Sequence, residues 1–378
     1  MNEDIRGVLD ATRDVAEGVI AANAAKVDRE RSFPAENLRA LAGAGALGLT
    51  VPAANGGLGG GLGTLAEACE AVGAGCASTG MVFLMHEVTA AAVMGGGGAY
   101  ADDVLPRFAA GSAIGSLAFS ERGTGAHFYD PGITVEQQDD GLRINGRKSF
   151  VTSGGHADVY LVLVQGGRGD GGIDCYAVHR DDPGVRFDGS WEGLGMAGNS
   201  SIALELDGVR VDDSRRIGEA GGGAGLVFGV VAPFFLVGLS AVNVGIAAAA
   251  ARAATAHAVE RRYGNGTSLA EVQAVQHQIA AMDIAVRQAR LLVRDAAALG
   301  DGGDETALVA IMEAKVAATD AAISVTQQAL EVCGGQGYTP ALPIERHLRD
   351  GRAGSVMAPT NGVLRSWIGK ALAGLPVP

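Results

Sequence analysis

Four stretches of the 378-residue chain concentrate hydroxyls, glycines and cations at spacings that chemistry uses. Ser120-Glu121-Arg122-Gly123-Thr124-Gly125-Ala126-His127 follows an apolar run. Asn145-Gly146-Arg147-Lys148-Ser149-Phe150-Val151-Thr152 continues through Ser153-Gly154-Gly155-His156-Ala157-Asp158. Arg261-Arg262-Tyr263-Gly264 stands ahead of Gln273. Gly334-Gly335-Gln336-Gly337-Tyr338 precedes Pro343-Ile344-Glu345-Arg346 and Arg349-Asp350. Taken singly, each has an ordinary reading. Asn145-Gly146 is a hairpin turn, and the 334–338 run is a helix C-cap and loop. Thr152 is a strand residue, and Arg261 is a cation at a helix C-terminus. His86, in Phe83-Leu84-Met85-His86-Glu87, carries an imidazole that titrates near neutrality and suits a general base. Its other reading is a buried, hydrogen-bonded core histidine. Glu87, one residue on, points elsewhere on a helix, and His156 reads as a surface turn residue. Cys69, Cys76, Cys175 and Cys333 form no CxxC pair and have no histidine cluster beside them. That argues against a zinc site or a disulfide framework, and for reduced, buried thiols of a cytoplasmic protein.

The hydrophobic pattern outlines the elements that must hold these residues. Ile5 to Val27 has helical spacing, and Ser32 to Glu36 opens a second helix with Pro34 in its first turn. That helix continues from Leu38 to Ala46 and closes at Gly48. A glycine-rich loop spans Pro52 to Gly63, and Thr64 to Gly75 and Ser78 to Met94 are alanine-rich helices. The pattern then shortens. Ser116–Phe119, Gly132–Gln137, Gly141–Ile144, Val159–Val164, Asp174–Val178 and Ile202–Leu206 read as strands between turn clusters, with Val209–Asp213 as a further one. This predicts an antiparallel β-domain. Helical spacing returns in Leu226–Arg262, Leu269–Ala298, Glu305–Cys333 and Asn361–Ala373. Helices, then strands, then helices predict an α+β fold. No GxGxxG links a strand to a helix, which disfavours a Rossmann domain.

Composition bounds the function classes. Apolar residues make up 48% and charged residues 19%, the signature of a packed chain, not a disordered or fibrous one. Acidic residues number 42 against 29 basic, a formal charge of −13, which argues against a broad nucleic-acid-binding surface. Ala220 to Ala251 holds no charged residue, and Leu226 to Ala251 is long enough to cross a bilayer. Pro233, Gly238, Ser240, Asn243 and Gly245 dilute it, and no aromatic belt flanks it. The expectation is a helix buried inside a bundle, with no membrane span. Met1 to Arg13 alternates charges and has no apolar core, so no secretory signal is expected.

Together and in this order, the four stretches resemble the acyl-CoA dehydrogenase superfamily of flavoproteins. Phe33-Pro34-Ala35-Glu36 and the loop Val51-Pro52-Ala53-Ala54-Asn55-Gly56-Gly57-Leu58-Gly59 belong to the same resemblance, which runs from about Arg13 to Leu375. It implies an N-terminal helical domain (1–115), a central β-domain (116–220) and a C-terminal four-helix bundle (221–378). It implies FAD held between the β-domain and the bundle. It also implies an oligomer, a dimer or tetramer, in which the arginine after the long helix and the GGxGY loop reach the FAD of a neighbouring subunit. The residues it assigns to the cofactor begin with backbone amides around Phe119, Ser120 and Gly125, for flavin oxygens and phosphate. The Thr152 hydroxyl serves flavin N5. Phe150, where the family usually has Trp, stacks on the flavin edge. Arg261 matches the pyrophosphate-binding arginine. Gln273 and Glu331 join it, the latter replacing a common glutamine. Gly334 and Gly335 allow close backbone approach, and Thr360 closes the set.

The chain departs from the family where the chemistry is done. The family's proton-abstracting glutamate falls on Ala358, and the glycine after it is Pro359. The alternative glutamate position, on the long helix, is Phe235, with Leu236 where an arginine is common. Ala126 and His127 replace a serine and an aspartate, which places His127 near the FAD phosphates. The resemblance puts His86 on a helix that lines the substrate cavity and so makes it the candidate base. Three functions follow. The first is oxidation of the α,β C–C bond of an acyl thioester, on CoA or a carrier protein, with a relocated base. The second is a flavin-dependent monooxygenase or oxidase on a non-thioester substrate. The third is a non-catalytic subunit paired with a homologous chain. Phe234, Phe235 and Met357 hint at a restricted, apolar cavity.

Overall fold

The computed structural model describes residues 3–125, 127–139, 141–166 and 172–377. Its first segment is helical. In α1 (Glu3–Val15), Ile5, Leu9 and Thr12 are buried at helical spacing and the charges face out. A π-helical turn, Ala16–Ile20, joins it to α2 (Ala21–Glu30), and Arg31 in the left-handed region ends that helix. Then come α3 (Ala35–Gly43), α4 (Leu62–Gly75), α5 (Ala77–Gly96) and α6 (Gly98–Ala109). The last of these, with Pro106 inside it, is a helix that the pattern does not mark.

The middle segment forms two sheets. One has the order β1 (Gly115–Ala118), β4 (Val159–Gln165), β5 (Ile173–His179); the other runs β2 (Val135–Gln138), β3 (Gly141–Val151), β7 (Ile202–Val211), β6 (Val185–Asp188). The antiparallel expectation needs one correction: β1 pairs with β4 in parallel. The chain between them passes through the other sheet, a crossover long enough to return in the same direction. A second correction concerns Asn145-Gly146, which is no hairpin turn. It lies inside β3, where the register with β7 shifts between Ile144 and Gly146. Asn145 Oδ1 accepts from Gly208 N at 2.7 Å. Gly146 sits at φ +146° with Ile133 packed where a Cβ would go, so only glycine fits this bulge. Tyr160, Val162 and Val164 of β4 face the core between the sheets, and Val159, Leu161 and Leu163 face the helices. Burial on both faces is why that strand reads as an unbroken apolar run.

The last segment opens with α7 (Gly223–Leu226), a π-helical turn at Val227–Val231, and α8 (Ala232–Glu260). Pro233 lacks the N–H that would bond back and crowds the preceding turn, so the helix widens ahead of it and runs on. Next come α9 (Gln273–Asp301), α10 (Ala307–Gly337), α11 (Ile344–Asp350), α12 (Ala353–Val356) and α13 (Asn361–Leu372). Within α10, Gly334 departs from helical geometry. Two helical stretches, Ala77–Gly96 and Gly223–Glu260, are long and apolar enough to cross a membrane. Their residues sit in one core that joins the N-terminal helices, a face of the β1-β4-β5 sheet and the bundle.

Candidate active site

Where the three segments meet lies a cavity of about 810 Å³, within the usual range of small-molecule sites. Each wall follows from an element that ends there. β1 delivers Leu117 and then Phe119 and Ser120 as the chain leaves the sheet. The end of β3 brings Ser149 and Phe150, and Thr152 follows it. α5 contributes Met81 and Met85, and the start of α8 contributes Ala232 and Phe235. The stretch after α12 closes the cavity with Met357, Ala358 and Pro359.

Backbone bonds set the side chains. Ser149 N donates to Ser120 O at 2.8 Å, which ties β3 to the turn after β1. Phe150 takes φ +53°, and that turns its ring out to 70% exposure, edge-on to Trp191 at 6.4 Å. Thr152 is buried; its carbonyl accepts from Ser116 Oγ at 2.6 Å, and its hydroxyl lies 3.0 Å from that of Ser201. Trp191 Nε1 donates to Met196 O at 2.9 Å, and Met196 N donates to Asp350 Oδ1 at 2.6 Å. Burial pushes the Asp350 carboxyl up to about 6. Arg349 spans Asp28 and Glu345, which ties α11 to α2.

The cavity collects Phe119, Ser120, Gly125, Phe150, Thr152, Phe235 and Ala358. Thr360 lies just beyond, where its hydroxyl caps α13 by accepting from Val363 N. The other expected cofactor residues are not in this chain's cavity. Arg261, Gln273, Glu331, Gly334 and Gly335 are exposed where α8 ends, α9 begins and the helical part of α10 stops. Ala126 lies outside the described residues. His127 is exposed beside Tyr129, and His156 stacks on Phe33 at 4.1 Å.

His86 requires a correction. Both ring nitrogens are used inside the protein: Nε2 donates to Leu47 O at 3.1 Å and Nδ1 accepts from Gly115 N at 3.2 Å. A backbone N–H must donate and a carbonyl must accept, so the ring is held neutral in one tautomer. It is fully buried against Phe108, does not line the cavity, and burial pushes its pKa down to about 4. It anchors the start of β1 and is not placed to take a substrate proton. No histidine lines the cavity among the described residues, and the one carboxylate that does is Glu121. Glu121 is already engaged by Lys148 Nζ at 2.6 Å and by Gly132 N at 3.0 Å.

Sequence reasoning missed Met81, Met85, Trp191, Asn199 and Ser201. Apart from the run of glycines and hydroxyls between Gly193 and Ser201, no local signal marks them.

Family models match each of the three segments. The N-terminal domain of acyl-CoA dehydrogenase matches residues 2–112, the middle domain 116–209 and the C-terminal domain 237–373. The probable acyl-CoA dehydrogenase FadE25 of Mycobacterium tuberculosis is 32% identical over 365 residues, 96% of this chain and 93% of its own. Cyclohex-1-ene-1-carbonyl-CoA dehydrogenase of Geobacter metallireducens is 32% identical over 376 residues, 98% of each. The chain belongs to the acyl-CoA dehydrogenase family. The solved structure of butyryl-CoA dehydrogenase from Megasphaera elsdenii superposes with a TM-score of 0.93 at 25% identity, covering 99% of both chains. As a member of this family the chain is an FAD-dependent oxidoreductase. The residues present fit that cofactor. An aromatic face at Phe150 is open for stacking. The Thr152 and Ser201 hydroxyls stand 3.0 Å apart in the cavity wall, and Gly125, at φ +56°, leaves open space where a side chain would stand.

Proposed function

We propose that this chain oxidises the α,β C–C bond of an acyl thioester, on CoA or a carrier protein, the α-proton passing to a base relocated from residues 235 and 358, the two places where the family usually has one. The observation that carries the reading is the cavity itself. Met81, Met85, Phe235 and Met357 give it an apolar lining suited to an acyl chain, beside the Thr152 hydroxyl and the exposed ring of Phe150. FAD supplies the two-electron acceptor. The chain's own residues orient that cofactor through Phe150 and Thr152 and exclude water with the apolar wall. Ala358 and Phe235, at the two places a glutamate would stand, have no atom that accepts a proton. The homologues named for acyl-CoA substrates support the thioester reading.

A second reading rests on a separate observation. Among the described cavity residues no proton acceptor is free, since Glu121 is held by Lys148. Oxygen chemistry by reduced flavin, as in a monooxygenase or oxidase, needs no α-proton base. We further propose a cytoplasmic homo-oligomer, a dimer or tetramer, in which the exposed Arg261 end serves a neighbour's cofactor.

The test is the visible spectrum of the anaerobic flavoprotein during addition of acyl-CoAs of several lengths. Slow bleaching is expected for the natural chain. Ala358→Glu should bleach about 10²–10⁴ times faster, the usual contribution of a positioned base. No gain with any chain length would abandon the thioester reading, and oxygen uptake by the reduced protein would then favour the second. If neither reaction occurs, co-purification with a second homologous chain decides for the reading as a non-catalytic subunit.

A further inference from the structure

β1 pairs with β4 only as far as Ala118 opposite Val162, because the chain then turns away to build the cavity wall. β4 continues to Gln165. The Leu163 carbonyl is therefore left without a β1 partner, and Lys148 reaches it from β3, with Nζ donating at 2.6 Å. Lys148 is fully buried, an arrangement that is costly unless the charge is paired and hydrogen-bonded. Glu121 supplies the pairing. Its second oxygen accepts from Gly132 N at 3.0 Å, so one carboxylate joins the two ends of the stretch that holds Ser120, Gly125 and Phe128 against the cavity.

We propose that Lys148 and Glu121 act as one positioning unit for FAD: a buried ion pair that fills the gap along β4 between the end of β1 and Gln165, whose N donates to Ile133 O at 2.7 Å, and that fixes the Ser120–Gly125 wall. Lys148 lines no part of the cavity and acts only through Glu121 and Leu163. Removing either partner leaves the other charge buried and alone, so the effects of the two removals overlap and do not add.

The test is a cycle of Lys148→Met, Glu121→Gln and the double variant, with FAD affinity read by quenching of flavin fluorescence on reconstitution of the apoprotein. Each single variant should weaken FAD binding at least tenfold, and the double variant should weaken it no more than the worse single one. Lys148→Arg, which keeps the charge, should recover most of the affinity. The absorption band of the bound flavin should shift in the single variants, a change that a loss of fold stability alone does not produce. If Lys148→Met does not fold, the near-isosteric Glu121→Gln decides. FAD affinity within threefold of the natural chain, with an unshifted flavin band, overturns the proposal. Additive losses in the cycle overturn it as well.

Discussion

His86 and Glu87 are adjacent, fully buried, and respond to pH in opposite senses. Burial holds His86 neutral down to about 4, against an ordinary value of 6.5. Between those values the unfolded chain carries the extra proton, so stability is lost as pH falls from 6.5 to 4. Burial pushes Glu87 up to about 8 from an ordinary 4.5, even though Thr50 N and Thr50 Oγ1 donate to one of its oxygens. The folded chain keeps that proton where the unfolded chain has lost it. The stability it contributes is therefore complete below 4.5 and is lost as pH rises to 8. The two slopes oppose each other between 4.5 and 6.5, and Glu87 acts without that opposition above 6.5. Urea unfolding of Glu87→Gln and the natural chain isolates the effect. The stability difference between them should move by about 2 kcal/mol in favour of the variant between pH 6.5 and 8. A difference that does not change with pH would mean that Glu87 is ionised in the fold. Adjacency in sequence revealed none of this, because the partners of these two residues come from residues 47, 50 and 115.

At the scale of elements, the apolar run that resembles a membrane span is explained by what crosses it. A Cβ on Gly245 would lie 2.3 Å from Glu70 O, and one on Gly73 would lie 2.8 Å from Val242 O. α4 and α8 thus touch backbone to backbone at two small residues, and the alanine-rich stretch beyond Gly245 fills the interior. Gly245→Val should cost about 3 kcal/mol or more by forcing these helices apart. An unchanged melting temperature would show that the crossing can open without penalty. Most of the longer helices were legible, because the helical period is a local property. The short β6 and the one-sided α6 were not legible. Their burial comes from partners whose positions the pattern does not encode, with β6 resting on β7. The same holds for Asn145-Gly146: a turn signal became a bulge because β3 had a partner on each side.

For the whole molecule, the cofactor residues expected from the sequence fall into two groups, one around the cavity and one on the exposed bundle end. Two such sites in one chain make sense if neighbouring subunits complete each other. Arg261→Ala should therefore lose flavin when prepared alone, and so should Phe150→Asp, which damages the cavity. Mixing and reassembling the two should restore part of the flavin, because mixed oligomers contain one intact site. Flavin content no higher than the average of the separate preparations would show that Arg261 serves its own chain.

The sequence by itself determined the family, the order of helices and strands and the lack of a carboxylate at residues 235 and 358. Each of these is carried by residue type and short-range period. The tertiary structure alone decided that His86 is bonded at both nitrogens and that β1 runs parallel to β4. It also decided that Lys148 is buried against Leu163 and Glu121, and that Trp191 and Ser201 share a cavity with Phe150 and Thr152. Those facts depend on which groups meet across long separations in sequence. A polar side chain's protonation and role are set by the partners it finds there, not by its neighbours along the chain.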